Sequence, residues 1–194
     1  MKSQFWTAPN QITLLRLIFV PLVGMNVMDR RYKVALILFV LAGISDAVDG
    51  LLARILRQQT VVGQFMDPIA DKLLLSSTFL VLSFTKQIPW KYTVLVFSRD
   101  LSIVLVVGVL YIATNIRDFR PSVFGKLNTF AQVAAIFFVL LWRIDAVPWL
   151  WTARQVSLWA TFALTTISGI HYIIITGRKI HAAGNGRSAS APPR

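Results

Sequence analysis

The sequence has no cysteine and no glutamate, only two histidines, and charged residues fill just 14% of its 194 positions. Without cysteine there is no disulfide framework, no thiolate nucleophile and no sulfur-ligated metal. A metal site would have to be built from oxygen or imidazole donors. The scarcity of charge accompanies a hydrophobic content of 56% and a mean hydropathy of +0.64, outside the range of an ordinary soluble domain. The composition implies a chain built for lipid.

A membrane-crossing helix needs about 20 predominantly apolar residues. Six runs qualify, over residues 11–28, 34–56, 61–84, 91–114, 126–142 and 153–176, each bounded by turn or charge signals such as Pro9 and Asn10, Asp29 to Arg31, and Arg57 to Thr60. The expected fold is an all-α integral membrane protein, a six-transmembrane-helix bundle over residues 1–176. Residues 177–194 are expected as a polar, basic, disordered tail. Met1 to Asn10 lack the basic start, apolar stretch and cleavage site of a secretory signal, so the N-terminus is expected to be retained.

The formal net charge is +12. Its Lys and Arg lie mostly beside apolar runs, which favours anionic lipid head groups as partners over nucleic acid. An even number of spans places both termini on one side. Ten loop cations share that side against seven opposite, which favours cytoplasmic termini.

All eight acids are Asp, and four of them fall between positions 46 and 71. On the second run Asp46, Asp49, Gly50, Ala53 and Arg57 share one helical face; on the third, Gly63, Asp67 and Asp71 recur at four-residue intervals. Carboxylates at membrane depth cost several kcal/mol each unless paired or compensated. Divalent cations would compensate them, and an all-oxygen donor set suits Mg²⁺, Mn²⁺ or Ca²⁺ better than zinc. Ion pairs with Arg54, Arg57 and Lys72 are the bland alternative. A cation transporter or a membrane scaffold are competing classes, but a transporter would spread its carboxylates over several spans.

The arrangement Asp46-x-x-Asp49-Gly50-x-x-Ala53-Arg54, eight residues, then Gly63-x-x-x-Asp67-x-x-x-Asp71 resembles the complete signature of the CDP-alcohol phosphatidyltransferases. Pro9-Asn10-x-x-Thr13-x-x-Arg16 resembles the same family. The resemblance implies an enzyme of phospholipid biosynthesis, usually a homodimer, that moves a phosphatidyl group from CDP-diacylglycerol to an alcohol and releases CMP. It implies Asp46, Asp49, Asp67 and Asp71 as ligands of a two-metal Mg²⁺ or Mn²⁺ site, with Asp71 also the catalytic base. It further implies that Asn10, Thr13, Asp49, Gly50, Ala53, Arg54 and Gly63 line the CDP-diacylglycerol site. The site is expected to face the cytoplasm from the cell (inner) membrane.

Gly125-Lys126-Leu127-Asn128-Thr129-x-x-Gln132 is similar to a segment of the phosphatidylglycerophosphate synthases and cardiolipin synthases of that family, both of which use glycerol phosphates as acceptors. Arg99 and Lys126 are the expected contacts to the acceptor phosphate. An ion pair with Asp100 is the alternative for Arg99, and a boundary anchor the alternative for Lys126. Ser98-Arg99-Asp100 looks closer to the cardiolipin synthase version than to the Arg-Glu of the other branch. The expected acceptor is glycerol 3-phosphate, with phosphatidylglycerol next. His171, without a second histidine at ligand spacing, is expected to be packed rather than catalytic.

Overall fold

Six helices follow one another in the computed structural model, α1 (Ala8–Met28), α2 (Tyr32–Ile55), α3 (Val61–Phe84), α4 (Trp90–Ala113), α5 (Val123–Ile144) and α6 (Pro148–Ser188), and the described residues contain no strand. The structure describes the backbone of residues 8–55, 61–113 and 123–188, and side chains over 17–45, 72–105, 123–172 and at Ile174. Each expected run coincides with one helix. The last differs in length: α6 continues past residue 176 to Ser188, so residues 177–188 are helical where a disordered tail was expected. Extending an existing helix adds a hydrogen bond per residue without a new nucleation cost, which lets the Arg, Lys, Ala and His of this segment follow the apolar run.

The helices close into a ring. α1 packs on α2 and α3, α2 on α5, α5 on α6, α6 on α4, and α4 back on α3, with a lesser contact between α3 and α5 across the middle. The core inside this ring is made of Val23 and Val27 of α1, Phe39 and Ala42 of α2, Phe79 and Leu82 of α3, Val96 of α4, Ile136, Val139 and Leu140 of α5, and Leu158 of α6. In a lipid setting such side chains hold the helices together by close van der Waals packing rather than by leaving water.

The short turns at one end explain why neighbouring helices reverse direction there. α1 and α3 both end with a residue in the left-handed region, Arg30 at φ 61° and Lys86 at φ 59°. In each case the next amide bonds five residues back, Arg31 to the Asn26 carbonyl at 2.8 Å and Gln87 to that of Leu82 at 2.7 Å. These are Schellman closures made without glycine. Arg154 of α6 then donates from Nη2 to the Gln87 carbonyl at 2.7 Å and lies 5.0 Å from the Trp142 ring centre, fastening the α5–α6 hairpin to the α3–α4 turn at this end.

Apolar side chains cover the outside as well as the core, and a set of polar side chains is buried among them. Asn128, Gln132, Thr161, Thr165 and Ser168 are buried, while Met25, Ile37, Val94, Leu101, Phe130 and Ile170 are exposed. Large apolar side chains on the outside and hydroxyls and amides on the inside reverse the habit of a water-soluble bundle. Val123–Ile144 is long and apolar enough to cross a membrane by length and composition; Leu17–Met28, Tyr32–Ser45 and Lys72–Phe84 are shorter apolar stretches among the described residues.

Candidate functional site

The register of the α3–α4 hairpin brings the first polar group together. Thr93 of α4 donates to the Phe79 carbonyl at 3.2 Å, and its hydroxyl also meets that of Ser83. Counting back from the turn along α3 and forward along α4, the antiparallel pairing then sets Lys72 opposite Asp100. The Lys72 Nζ lies 2.8 Å from Asp100 Oδ1. Arg99 Nη1 donates to the same oxygen at 2.7 Å, and its Nη2 donates to Ser168 Oγ of α6 at 2.6 Å.

Arg99 and Asp100 are shielded, their side chains 8% and 9% exposed, while Lys72 at 35% is partly open. Among the described residues, two cations share a single carboxylate, and Arg99 Nε is buried without a hydrogen-bond partner. A buried ion pair gives little net stability, because desolvation offsets most of the attraction, and an excess charge makes the balance worse.

A second polar group lies along α6. Ser157, Thr161, Thr165 and Ser168 fall on one buried face, at offsets of four, four and three residues. Thr161 Oγ1 donates to the Ala131 carbonyl at 3.0 Å, and Thr165 Oγ1 donates to Asn128 Oδ1 at 2.7 Å. Hydroxyl and amide bonds of this kind join helices where small side chains let backbones approach closely. Ser168, the last of the stripe, is the one that holds Arg99, so the two groups are continuous from α3 through α4 and α6 to α5.

The expected acceptor residues therefore have different settings. Arg99 is buried and held by two partners, including the Asp100 pairing weighed in the sequence. Lys126 is exposed on the first turns of α5 and enters no ion pair among the described residues. His171 packs against Phe124, ring centres 4.9 Å apart.

For the acidic signature the structure gives the helices alone. Asp46, Asp49, Gly50, Ala53 and Arg54 belong to α2, Gly63, Asp67 and Asp71 to α3, and Asn10 and Thr13 to α1. Their side chains lie outside the described residues, and no group of three or more potential ligands occurs among the described ones. The backbone still constrains them. Residues 56–60 join α2 to α3, and at 1.5 Å per residue the four Asp positions lie roughly 9 to 15 Å along their helices from that connection. Comparable distances from the connection on consecutive helices and an all-oxygen donor set fit a divalent cation of the Mg²⁺ or Mn²⁺ class.

Sequence reasoning did not give Ser168, Thr165 or Asn128 a role, although hydroxyl residues at helical spacing inside an apolar run are a readable signal. Lys72 was expected only as an alternative ion-pair partner of the clustered Asp residues, whereas its partner among the described residues is Asp100.

Comparison with known proteins agrees with the signature. The CDP-alcohol phosphatidyltransferase family model matches residues 6–167. A probable phosphatidylglycerophosphate synthase of Mycobacterium tuberculosis is 38% identical over 171 residues, 84% of this chain and 78% of that one. A CDP-diacylglycerol--glycerol-3-phosphate 3-phosphatidyltransferase of Bacillus subtilis is 29% identical over 180 residues, 84% of this chain and 92% of that one. A CMP-forming cardiolipin synthase of Homo sapiens is 29% identical over 195 residues, 90% of this chain and 62% of that one.

Proposed function

Because the chain belongs to the CDP-alcohol phosphatidyltransferase family, we propose that it transfers a phosphatidyl group from CDP-diacylglycerol to glycerol 3-phosphate, giving phosphatidylglycerophosphate and CMP in phospholipid biosynthesis. The observation that carries this reading is the 38% identity, over 84% of the chain, to a relative named as a probable phosphatidylglycerophosphate synthase.

The proposed site joins the two acidic segments to the cation cluster. Asp46, Asp49, Asp67 and Asp71 hold the metal pair, which when bound supplies charge neutralisation for a diphosphate and its CMP leaving group. Gly50, Ala53 and Gly63, lacking bulk, leave room for the nucleotide beside α2 and α3, with Arg54, Asn10 and Thr13 completing that pocket. Asp71 accepts the proton of the attacking hydroxyl. Arg99 and Lys126 bind the acceptor's phosphate, a buried and an exposed cation that orient it before attack. Lys72, one residue beyond Asp71, connects the base to the Arg99 cluster through Asp100.

The proposal extends to the setting. The exposed apolar side chains and buried hydroxyls support six membrane-spanning segments within residues 1–176, in the cell (inner) membrane, with the site on the cytoplasmic side where a nucleotide lipid and a soluble glycerol phosphate meet. A homodimer is the proposed assembly, and residues 177–194 the basic appendage that follows it.

Phosphatidylglycerol is the second acceptor to test, favoured by Ser98-Arg99-Asp100 and by the 29% identity to a cardiolipin synthase over 90% of the chain. Purified protein given CDP-diacylglycerol, Mg²⁺ or Mn²⁺ and each acceptor in turn decides between them. Product with glycerol 3-phosphate is expected. Product with phosphatidylglycerol alone overturns the choice of acceptor, and no CMP release with any alcohol overturns the enzymatic reading.

A further inference from the structure

Adjacent residues on a helix do not face one another, so an arginine that bonds to its own next neighbour has to turn its side chain along the helix to reach it. Arg99 does this, Nη1 to Asp100 Oδ1 at 2.7 Å. The carboxylate it turns toward is held from outside the helix, by Lys72 of α3 at 2.8 Å on the same oxygen. The other side of the guanidinium is held by α6, where Ser168 Oγ accepts from Nη2 at 2.6 Å. Arg99 is thus fixed between three helices, yet among the described residues its charge is only half answered: one carboxylate serves two cations, and Nε, buried, has no partner.

We propose that Asp100 and Ser168 are positioning residues for the acceptor: they hold the Arg99 guanidinium in one orientation with a donor and a share of positive charge left over for the acceptor's phosphate. Asp100 is unsuited to contact that phosphate itself, since both are anions. Its part is to keep Arg99 and Lys72 together against their mutual repulsion. Ser168 adds a neutral second point that prevents the guanidinium from rotating about the Asp100 contact. A guanidinium pinned at both Nη atoms loses little further freedom when it meets an anion.

This inference rests on the reading that Arg99 meets the acceptor phosphate, and the two are tested separately. Initial rates are measured in detergent micelles with CDP-diacylglycerol and the acceptor each varied in turn. Asp100→Asn is expected to raise the acceptor KM roughly tenfold, the worth of a hydrogen bond to a charged group, with the KM for CDP-diacylglycerol changed less than about twofold. Ser168→Ala, which leaves every charge in place and carries the test if Asp100→Asn fails to fold, is expected to raise the acceptor KM by roughly threefold to tenfold, as for one bond from a charged donor to a neutral hydroxyl. Arg99→Gln should raise it more than either. An acceptor KM unchanged in Arg99→Gln sinks the reading of Arg99 and the positioning role with it. A raised KM in Arg99→Gln with no change in Asp100→Asn and Ser168→Ala overturns the positioning role alone, as does an equal rise for both substrates.

Discussion

Lys72 and Asp100 meet at 2.8 Å, and through that contact the helix that carries Asp67 and Asp71 is tied to the middle of α4. The link is one residue from the proposed base. It places the acidic signature and the proposed acceptor cation Arg99 in a single mechanical unit, so that a shift of α3 relative to α4 would move the proposed base and the proposed phosphate contact against each other. Misplacement of about 1 Å is enough to cost roughly 100-fold in rate in a site that works by orientation.

The role of Asp71 is tested by Asp71→Asn. Loss of a positioned general base is expected to slow transfer by about 10² to 10⁴-fold. Binding of CDP-diacylglycerol, followed by equilibrium binding of a labelled cytidine lipid, is expected to persist. A variant with near-normal turnover would remove Asp71 from the chemistry.

Dependence on a divalent cation follows from the all-oxygen donor set. Chelation with EDTA is expected to abolish CMP release, and Mg²⁺ or Mn²⁺ to restore it. Full activity after exhaustive chelation would contradict the assignment of Asp46, Asp49, Asp67 and Asp71 as ligands.

Lys126 is exposed, so its replacement should leave the fold intact. Lys126→Gln is expected to raise the KM for glycerol 3-phosphate by roughly threefold to tenfold, the range for one charged contact partly open to solvent. The rise should shrink at high salt, which screens an exposed charge more than a buried one. A KM that ignores both the substitution and the salt would make Lys126 a boundary anchor.

The α5–α6 contact offers a stability test independent of activity. Thr165→Val removes the donor to Asn128 Oδ1, a bond of 2.7 Å between two buried groups. The amide left unsatisfied is expected to cost about 1 to 3 kcal/mol. Adding Asn128→Leu removes the stranded amide and should recover most of that loss, read as the thermal unfolding midpoint in detergent. If the double variant is no more stable than Thr165→Val, the bond is not what holds the helices.

Lys86 occupies a left-handed conformation at φ 59°, which side-chain-bearing residues adopt at a cost of about 1 kcal/mol or slightly more. Lys86→Gly is expected to raise stability by roughly 0.5 to 1 kcal/mol. A lower midpoint would mean that the Lys86 charge at the α3 terminus outweighs the backbone relief.

Much of this protein was legible in one dimension. Apolar runs, each bounded by turns or charges, set six helices, because helix formation depends on local hydrogen bonds and local hydrophobicity. Asp46, Asp49, Asp67 and Asp71 could be picked out because carboxylates in an apolar run need a reason and their spacing follows the helical repeat. The ring order of the helices was not legible, nor was the junction of Lys72, Arg99, Asp100 and Ser168. Those depend on the rotation and register of each helix against its neighbours, which are fixed by side-chain packing between residues far apart in the chain. Ser168 reads as one more small residue of an apolar helix until α4 is laid against it; then it is the group that holds Arg99.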